Sequence, residues 1–92
     1  MAVRIFVKMR ALPGKGAEVI KARLPRHAEV RQDAGCEQFD LFQNTEDPDD
    51  FLLAERWSNQ ELLDAHYAID RPRMGGGLMA PSPGPTERYI VD

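Results

Sequence analysis

Three side chains in the middle of this sequence are suited to chemistry. Glu55 and Trp57 stand two residues apart in an apolar run, and His66 follows a short distance later. An imidazole ordinarily changes charge between about pH 5 and 8, so it can accept or donate a proton near neutral pH. Tryptophan on a strand is most often a buried core residue. The imidazole is therefore the side chain best suited to proton transfer.

The local spacing predicts that His66 points inward. Residues 51–57 alternate with a period of two, which is typical of a strand. Ser58 stands three residues before Glu61, the spacing of a capping box, so we expect a helix to begin there. One apolar side of this helix collects four residues: Leu62, Ala65, His66 and Ile69. An inward imidazole has an internal partner or serves a site, and both interpretations stay open.

Structural roles are the simpler expectation for the other reactive side chains. Trp57 can be plain core, and the single Cys36 has no basic neighbours that would activate it. His27, in a charged stretch, is expected at the surface. Glu55 is expected to form an ion pair or hydrogen bond in a subunit interface, with one of three basic residues: Arg4, Lys8 or Arg10. The acidic stretch 46–50 is expected to be a solvated turn. No metal site is indicated.

Composition narrows the class of protein. The 92 residues suffice for one domain, 1–92, and 42% of them are hydrophobic. The net charge of −3 argues against a nucleic-acid partner. No apolar run approaches the roughly 20 residues that cross a membrane, and the first ten residues do not resemble a signal peptide. One cysteine fits a reducing compartment, so we expect a cytoplasmic protein.

The order of predicted elements defines the fold class. We expect strands near 2–11, 36–45, 51–57 and 88–91, and helices near 16–34 and 58–69. Pro25 should kink or break the first helix near Leu24. The apolar stripe predicted for that helix is Ala17, Ile20, Leu24 and Ala28. Residues 71–86 hold too many prolines and glycines for a long helix. The βαββαβ order predicts an α+β, ferredoxin-like fold, with an antiparallel sheet and helices on one face.

Both faces of the predicted sheet carry large apolar side chains. One register contains Phe6, Phe42 and Leu52, and the other contains Phe39, Leu53 and Trp57. Two helices can cover only one of these faces. A second copy packed sheet to sheet would cover the other, so we expect a homodimer.

Several motifs together resemble one known family. They are Leu-Pro-Gly-Lys at 12–15, Gly-Cys at 35–36, Phe-Leu-Leu-Ala-Glu-Arg-Trp-Ser at 51–58, Ala-His at 65–66 and Tyr-Ile-Val at 89–91. With these, nearly the whole chain resembles the antibiotic biosynthesis monooxygenase family. The resemblance implies a dimeric α/β barrel with a small cavity between the helices and the sheet of each subunit.

The resemblance also implies a chemistry. Similar proteins include oxygenases without cofactors, which act with dioxygen on quinols and polycyclic phenols and need no metal or flavin. His66 would then handle the proton of the phenol, and Trp57 would form an aromatic wall for the substrate. Tyr67 and Arg73 would be polar contacts at the rim. Catalysis would require binding the phenol, removing its proton and excluding bulk water.

Departures from the family pattern keep other functions open. A second histidine that relatives often carry is replaced within 69–73, where arginines could bind an anion but not act as a base. The first strand lacks the asparagine of the haem-degrading branch. A second hypothesis is an isomerase or lyase acting on a small polar metabolite held by Arg71 and Arg73. A third is a non-enzymatic binding or stress protein whose cavity is filled by side chains.

Overall fold

The computed structural model describes residues 1–71 and 75–92. Its elements are β1 (Ala2–Arg10), α1 (Gly16–Val30), β2 (Cys36–Asn44), β3 (Asp47–Trp57), α2 (Gln60–Ala68) and β4 (Glu87–Val91). The strands form one antiparallel sheet in the order β2-β3-β1-β4. The predicted α+β, ferredoxin-like architecture is confirmed.

Both helices pack on the same face of the sheet. Alternate residues of the strands point to this face because side chains change sides at every position. They meet Val30 of α1 and Leu63 of α2, and the resulting core also contains Val3, Ile5, Phe39, Leu53 and Trp57. Burying each large apolar side chain contributes about 1.5–3 kcal/mol relative to leaving it exposed. The core of the protein therefore lies between the two helices and one face of the sheet.

The opposite face of the sheet, which we call the outer face, carries the other register. Phe42 pairs with Leu52, and Phe6 pairs with Ala54. The Phe42 side chain is about half exposed, and Tyr89 lies against Phe6 with ring centroids 6.3 Å apart. The two apolar registers therefore fall on two faces, of which the helices cover one.

The acidic stretch 46–50 differs from its prediction as a solvated turn. β3 already begins at Asp47, so most of the stretch lies in a strand. Its aspartate carboxylates have partners. Asp47 accepts a hydrogen bond of 2.8 Å from Arg10, and Asp49 accepts one of 2.9 Å from the backbone N–H of Gly16. These contacts let acidic residues, which disfavour strands on their own, extend the sheet.

The buried face of α1 differs from the predicted stripe. Leu24 is exposed, and the residues that point to the sheet are Gly16, Val19, Arg23, His27 and Val30. The helix also runs through Pro25 without a break and ends at Val30, earlier than expected. Pro25 lies on the exposed side, where solvent can satisfy the carbonyl that loses its partner. The core of α1 thus includes two polar side chains that a pattern of apolar residues cannot reveal.

His27 was expected at the surface, and that prediction is wrong. Its side chain is only 1% exposed. The ring nitrogen Nε2 accepts a hydrogen bond of 3.0 Å from Nε of Arg23, and the ring edge packs on Phe39 at a centroid distance of 4.7 Å. A partner one helical turn away satisfies the imidazole, so burial is tolerated.

The start of α2 also differs from the prediction. Asn59, rather than Ser58, is the N-cap, and its side-chain oxygen accepts a hydrogen bond of 2.8 Å from the backbone N–H of Leu62. The buried face centres on Leu63 instead of Leu62, and Ile69 is exposed. His66 lies one turn after Leu63 and so still faces the interior.

The segment before β4 lies along the edge of β1. Leu12 donates a backbone hydrogen bond to Leu78, and Ala80 donates one to Arg10, each 2.8 Å long. The described residues 75–86 contain no helix, as expected from their prolines and glycines. No helix in the described part of the chain is long and apolar enough to cross a membrane.

Burial of His27 makes a prediction for the pH dependence of stability. Burial, with the charge of Arg23, lowers the pKa of His27 from 6.5 to about 4. Between these two pH values the imidazole is protonated in the unfolded state but neutral in the folded state. The free energy of unfolding is therefore unaffected by His27 above pH 6.5 and decreases by roughly 3 kcal/mol as the pH falls toward 4. Urea unfolding of His27→Gln, which keeps an acceptor for Arg23, should show a flatter dependence than wild type between pH 6.5 and 4. Parallel curves for the two proteins would contradict this account.

Candidate functional site

Three polar side chains meet at one end of the helical layer. Nδ1 of His66 lies 2.8 Å from Oδ2 of Asp33, and Nη1 of Arg71 donates to the same oxygen at 2.8 Å. Nη2 of Arg71 donates to the other carboxylate oxygen, which makes the arginine–carboxylate contact bidentate. The side chains are 12%, 10% and 18% exposed for His66, Asp33 and Arg71. We call this group the Asp33 cluster.

The local structure explains why these residues meet. Asp33 lies in the turn after α1, and its carbonyl accepts from the N–H of Cys36 at the start of β2. His66 is in the last turn of α2, where a positive charge is favourable. Gly35 allows the close approach, because it has φ of +83° and a Cβ there would meet Leu62 at 2.6 Å. The turn after α1 can therefore pack closely against α2.

The hydrogen bonds define which nitrogen of His66 carries a proton. The hydrogen bond from Arg71, followed by that from His66, lowers the pKa of Asp33, so its carboxylate is ionised and accepts only. Nδ1 of His66 must then be the donor. The 3.4 Å separation between Nδ1 and Nη1 of Arg71 arises because both nitrogens converge on one oxygen. In the neutral imidazole this leaves Nε2 with the free lone pair.

Nε2 of His66 has no partner among the described residues. It makes no hydrogen bond to any of residues 1–71 and 75–92. The His66 side chain is 12% exposed, so solvent reaches part of it. A carboxylate that orients an imidazole while the far nitrogen stays free is the arrangement of a general base.

Two aromatic side chains pack against the His66 ring. The ring stacks on Trp57 with centroids 4.5 Å apart and planes 29° apart, and it contacts the edge of Phe39 at 6.1 Å. Trp57 is fully buried. Its indole N–H donates to Glu55 at 3.0 Å. Packing therefore fixes the plane of the imidazole, and the Asp33 carboxylate fixes its rotation.

Glu55 does not occupy the position expected for it. It pairs across the sheet with Ile5 and Phe39, so it points to the helices and not to the outer face where Arg4, Lys8 and Arg10 lie. It is 5% exposed, and burial raises the pKa of its carboxyl group. Its partner is the Trp57 indole. The interior thus contains a second carboxyl group, near His66 and Arg23.

The other predicted site residues do not join the Asp33 cluster in the roles expected for them. Tyr67 is mostly exposed, and its ring lies 5.5 Å from that of His66. Arg73 lies outside the described residues. Arg71, considered as a holder of anions, is instead paired with Asp33.

Sequence patterns alone missed Asp33. It lies in a turn, far from His66 in sequence, and turn acids are common on protein surfaces. The one usable signal was its position two residues before Gly35, which marks where the chain leaves α1 and enters β2.

The described residues contain no group of three histidine, cysteine, aspartate or glutamate side chains placed to hold a metal ion.

Comparison with known proteins places the chain in a family. The family model described as antibiotic biosynthesis monooxygenase matches residues 2–70. No curated protein sequence matches the chain.

Solved structures share the fold. A Pseudomonas aeruginosa protein has a TM-score of 0.83 at 21% identity, over 98% of this chain and 93% of that one. A Chloroflexus aurantiacus protein, named as a candidate antibiotic biosynthesis monooxygenase, has a TM-score of 0.80 at 23% identity, with 100% and 94% covered. A Deinococcus radiodurans protein named in the same way has a TM-score of 0.79 at 18% identity, with 100% and 93% covered. At these identities the likeness concerns the fold. With the family match across three quarters of the sequence, the chain belongs to the antibiotic biosynthesis monooxygenase family.

Proposed function

We propose that this protein, one domain over 1–92, is a cytoplasmic monooxygenase-type oxidoreductase that uses dioxygen on a quinol-like or phenolic substrate without a cofactor. The observation that carries the proposal is the Asp33–His66 contact, which leaves Nε2 of a partly exposed imidazole without a partner among the described residues and beside aromatic side chains. Family membership supports the reaction class.

In the proposed reaction, Nε2 of His66 takes the hydroxyl proton of the substrate. The ionised Asp33 carboxylate stabilises the imidazolium that forms, and Arg71 keeps that carboxylate ionised. The substrate anion gives one electron to dioxygen, which yields a substrate radical and superoxide. These combine into a peroxide by forming a carbon–oxygen bond. Loss of water from the peroxide leaves a new carbonyl group, so one dioxygen supplies one oxygen atom to the product and one to water.

The aromatic residues have supporting roles in this proposal. Trp57 is stacked beneath His66, so it is proposed to act as the wall behind the imidazole and to reach the substrate only beside that ring. Tyr67 is proposed to contact the substrate at the rim, because it is exposed and adjacent to His66. Arg73 stays a proposed rim contact on its position in the sequence.

Oxygen uptake tests this proposal. The pure protein with 1,4-dihydroxynaphthalene or 9-anthrol should consume dioxygen faster than the buffer. Added catalase should return none of it, because simple autoxidation yields hydrogen peroxide whereas the proposed reaction yields water. His66→Ala should lower the rate by about 100-fold or more, the usual contribution of a general base. Asp33→Asn should lower it less, because the imidazole stays but loses its orienting anion.

Glu61→Gln is the matched control, since this exposed residue lies on the same helix as His66. Its rate should equal that of wild type. No uptake by wild type above buffer, or equal rates for wild type and His66→Ala, would refute the oxygenase. Turnover that continues without oxygen would favour the isomerase or lyase, because the same imidazole can move protons next to a carbonyl group.

We also propose that two copies pair through their outer faces. Phe42 and Leu52 face each other across β2 and β3 on a face that no helix covers. Phe42 is 51% exposed, as is expected for a residue that a second subunit would cover.

The mass in solution tests the homodimer. Phe42→Glu should raise the dimer dissociation constant at least about tenfold and yield monomers at micromolar concentration, because it buries a charge in an apolar contact. Leu24→Glu is the matched control, since Leu24 is equally exposed, at 55%, but lies on the outside of α1. Light scattering should find a dimer for wild type and for Leu24→Glu. A monomeric wild type, or an unchanged dimer in Phe42→Glu, would refute this interface.

A further inference from the structure

A buried arginine lies in the interior, apart from the Asp33 cluster. Arg23 belongs to the face of α1 that packs on the sheet, and it is 8% exposed. Taking a guanidinium out of water is costly unless anions or acceptors compensate for the lost hydration. A leucine at this position would fill the same space without that cost. The contacts of Arg23 therefore need an explanation.

The hydrogen-bond partner of Arg23 orients it but does not neutralise it. Nε of Arg23 donates to Nε2 of His27 at 3.0 Å, so that nitrogen of His27 carries no proton. Burial keeps His27 neutral by lowering its pKa to about 4. A neutral acceptor supplies one hydrogen bond and no negative charge. The bond also fixes the orientation of the planar guanidinium and hence of its two terminal nitrogens.

No carboxylate within the described ranges completes the pair. Glu55 is near enough for its charge to favour the protonated form of Arg23, yet no acidic oxygen among residues 1–71 and 75–92 lies within 4.0 Å of the guanidinium. The two terminal nitrogens of Arg23 also make no hydrogen bond to residues 1–71 and 75–92. Within these ranges the buried guanidinium therefore has one neutral acceptor and no anion.

The Arg23 guanidinium and His66 lie on the same side of the sheet, between it and the helices. The Phe39 ring lies between the two imidazoles, 4.7 Å from that of His27 and 6.1 Å from that of His66. Glu55 pairs with Phe39 across the sheet and interacts with the charges of both Arg23 and His66. One aromatic ring thus separates the arginine end of the interior from the histidine end.

We propose that Arg23 binds the carboxylate of an aromatic ligand whose hydroxyl group reaches His66. Two parallel N–H groups match the two oxygens of a planar carboxylate, and the anion would compensate for the buried positive charge. The ligand would be a hydroxylated aromatic acid with its two polar groups at opposite ends. The identity of this ligand as the substrate rests on the proposed function, whereas its binding requires no turnover.

Calorimetric titration without oxygen tests this site. The probes are 6-hydroxy-2-naphthoate and its methyl ester, which share the ring and the hydroxyl group but differ in charge. Wild type should bind the acid at least about tenfold more tightly than the ester, the order expected for one charge-assisted pair. Arg23→Gln should bind the two equally, with ester affinity unchanged. Arg26→Gln is the matched control, because Arg26 lies on the same helix but is paired with Glu29 on its outer side, and it should keep the preference.

Each outcome decides the proposal. Equal affinity of wild type for the acid and the ester overturns it. A preference that survives in Arg23→Gln, or disappears in Arg26→Gln, also overturns it, since another cation would then hold the anion. Where Arg23→Gln does not fold by circular dichroism, Arg23→Lys replaces it, and its preference should be smaller than that of wild type because lysine lacks the two parallel N–H groups; an unchanged preference overturns the proposal. Preference for the acid in a protein that consumes no oxygen would support this site while the proposed oxidation fails.

Discussion

The Asp33 carboxylate joins parts of the chain that are distant in sequence. It accepts from His66 at the end of α2 and from Arg71 beyond that helix, while itself lying in the turn between α1 and β2. An ionised group that is only 10% exposed is stable there because donors surround it. The same contact sets the protonated nitrogen of the imidazole. The position of His66 and its proposed role as a base therefore both depend on one carboxylate at the place where the two helices end.

The interior combines this cluster with an unusual share of polar side chains. Arg23, His27 and Glu55 are all nearly buried on the helix side of the sheet, among apolar residues that provide most of the stability. For a chain of 92 residues, stability alone would favour apolar residues at these positions. These polar groups are the basis of the ligand site proposed above, which would have a basic nitrogen at His66 at one end and a cation at Arg23 at the other.

The sequence was informative where one local pattern controls the structure. Alternation along β3 predicted that strand, and the three- and four-residue spacing after Ser58 predicted the inward direction of His66. Patterns of apolar residues failed for α1, because Arg23 and His27 satisfy each other one turn apart and so occupy positions that the pattern reserves for apolar residues. Asp33 could not be identified as the partner of His66, since their contact depends on how two helices end in space. Glu55 was assigned to the wrong face because a buried acid was expected to need a basic partner, whereas the indole of Trp57 serves.

The tautomer of His66 tests the central claim most directly. Two-bond proton–nitrogen correlation NMR on protein labelled at its histidines, near pH 8, separates a protonated from an unprotonated ring nitrogen, and His27→Gln assigns the signals of His66. The account predicts that, in its neutral form, the His66 ring carries its proton on Nδ1 and leaves Nε2 unprotonated, the tautomer that free histidine disfavours. It also predicts loss of that preference in Asp33→Asn. A proton on Nε2 in the wild type would contradict the account, because no basic nitrogen would then be available to a substrate.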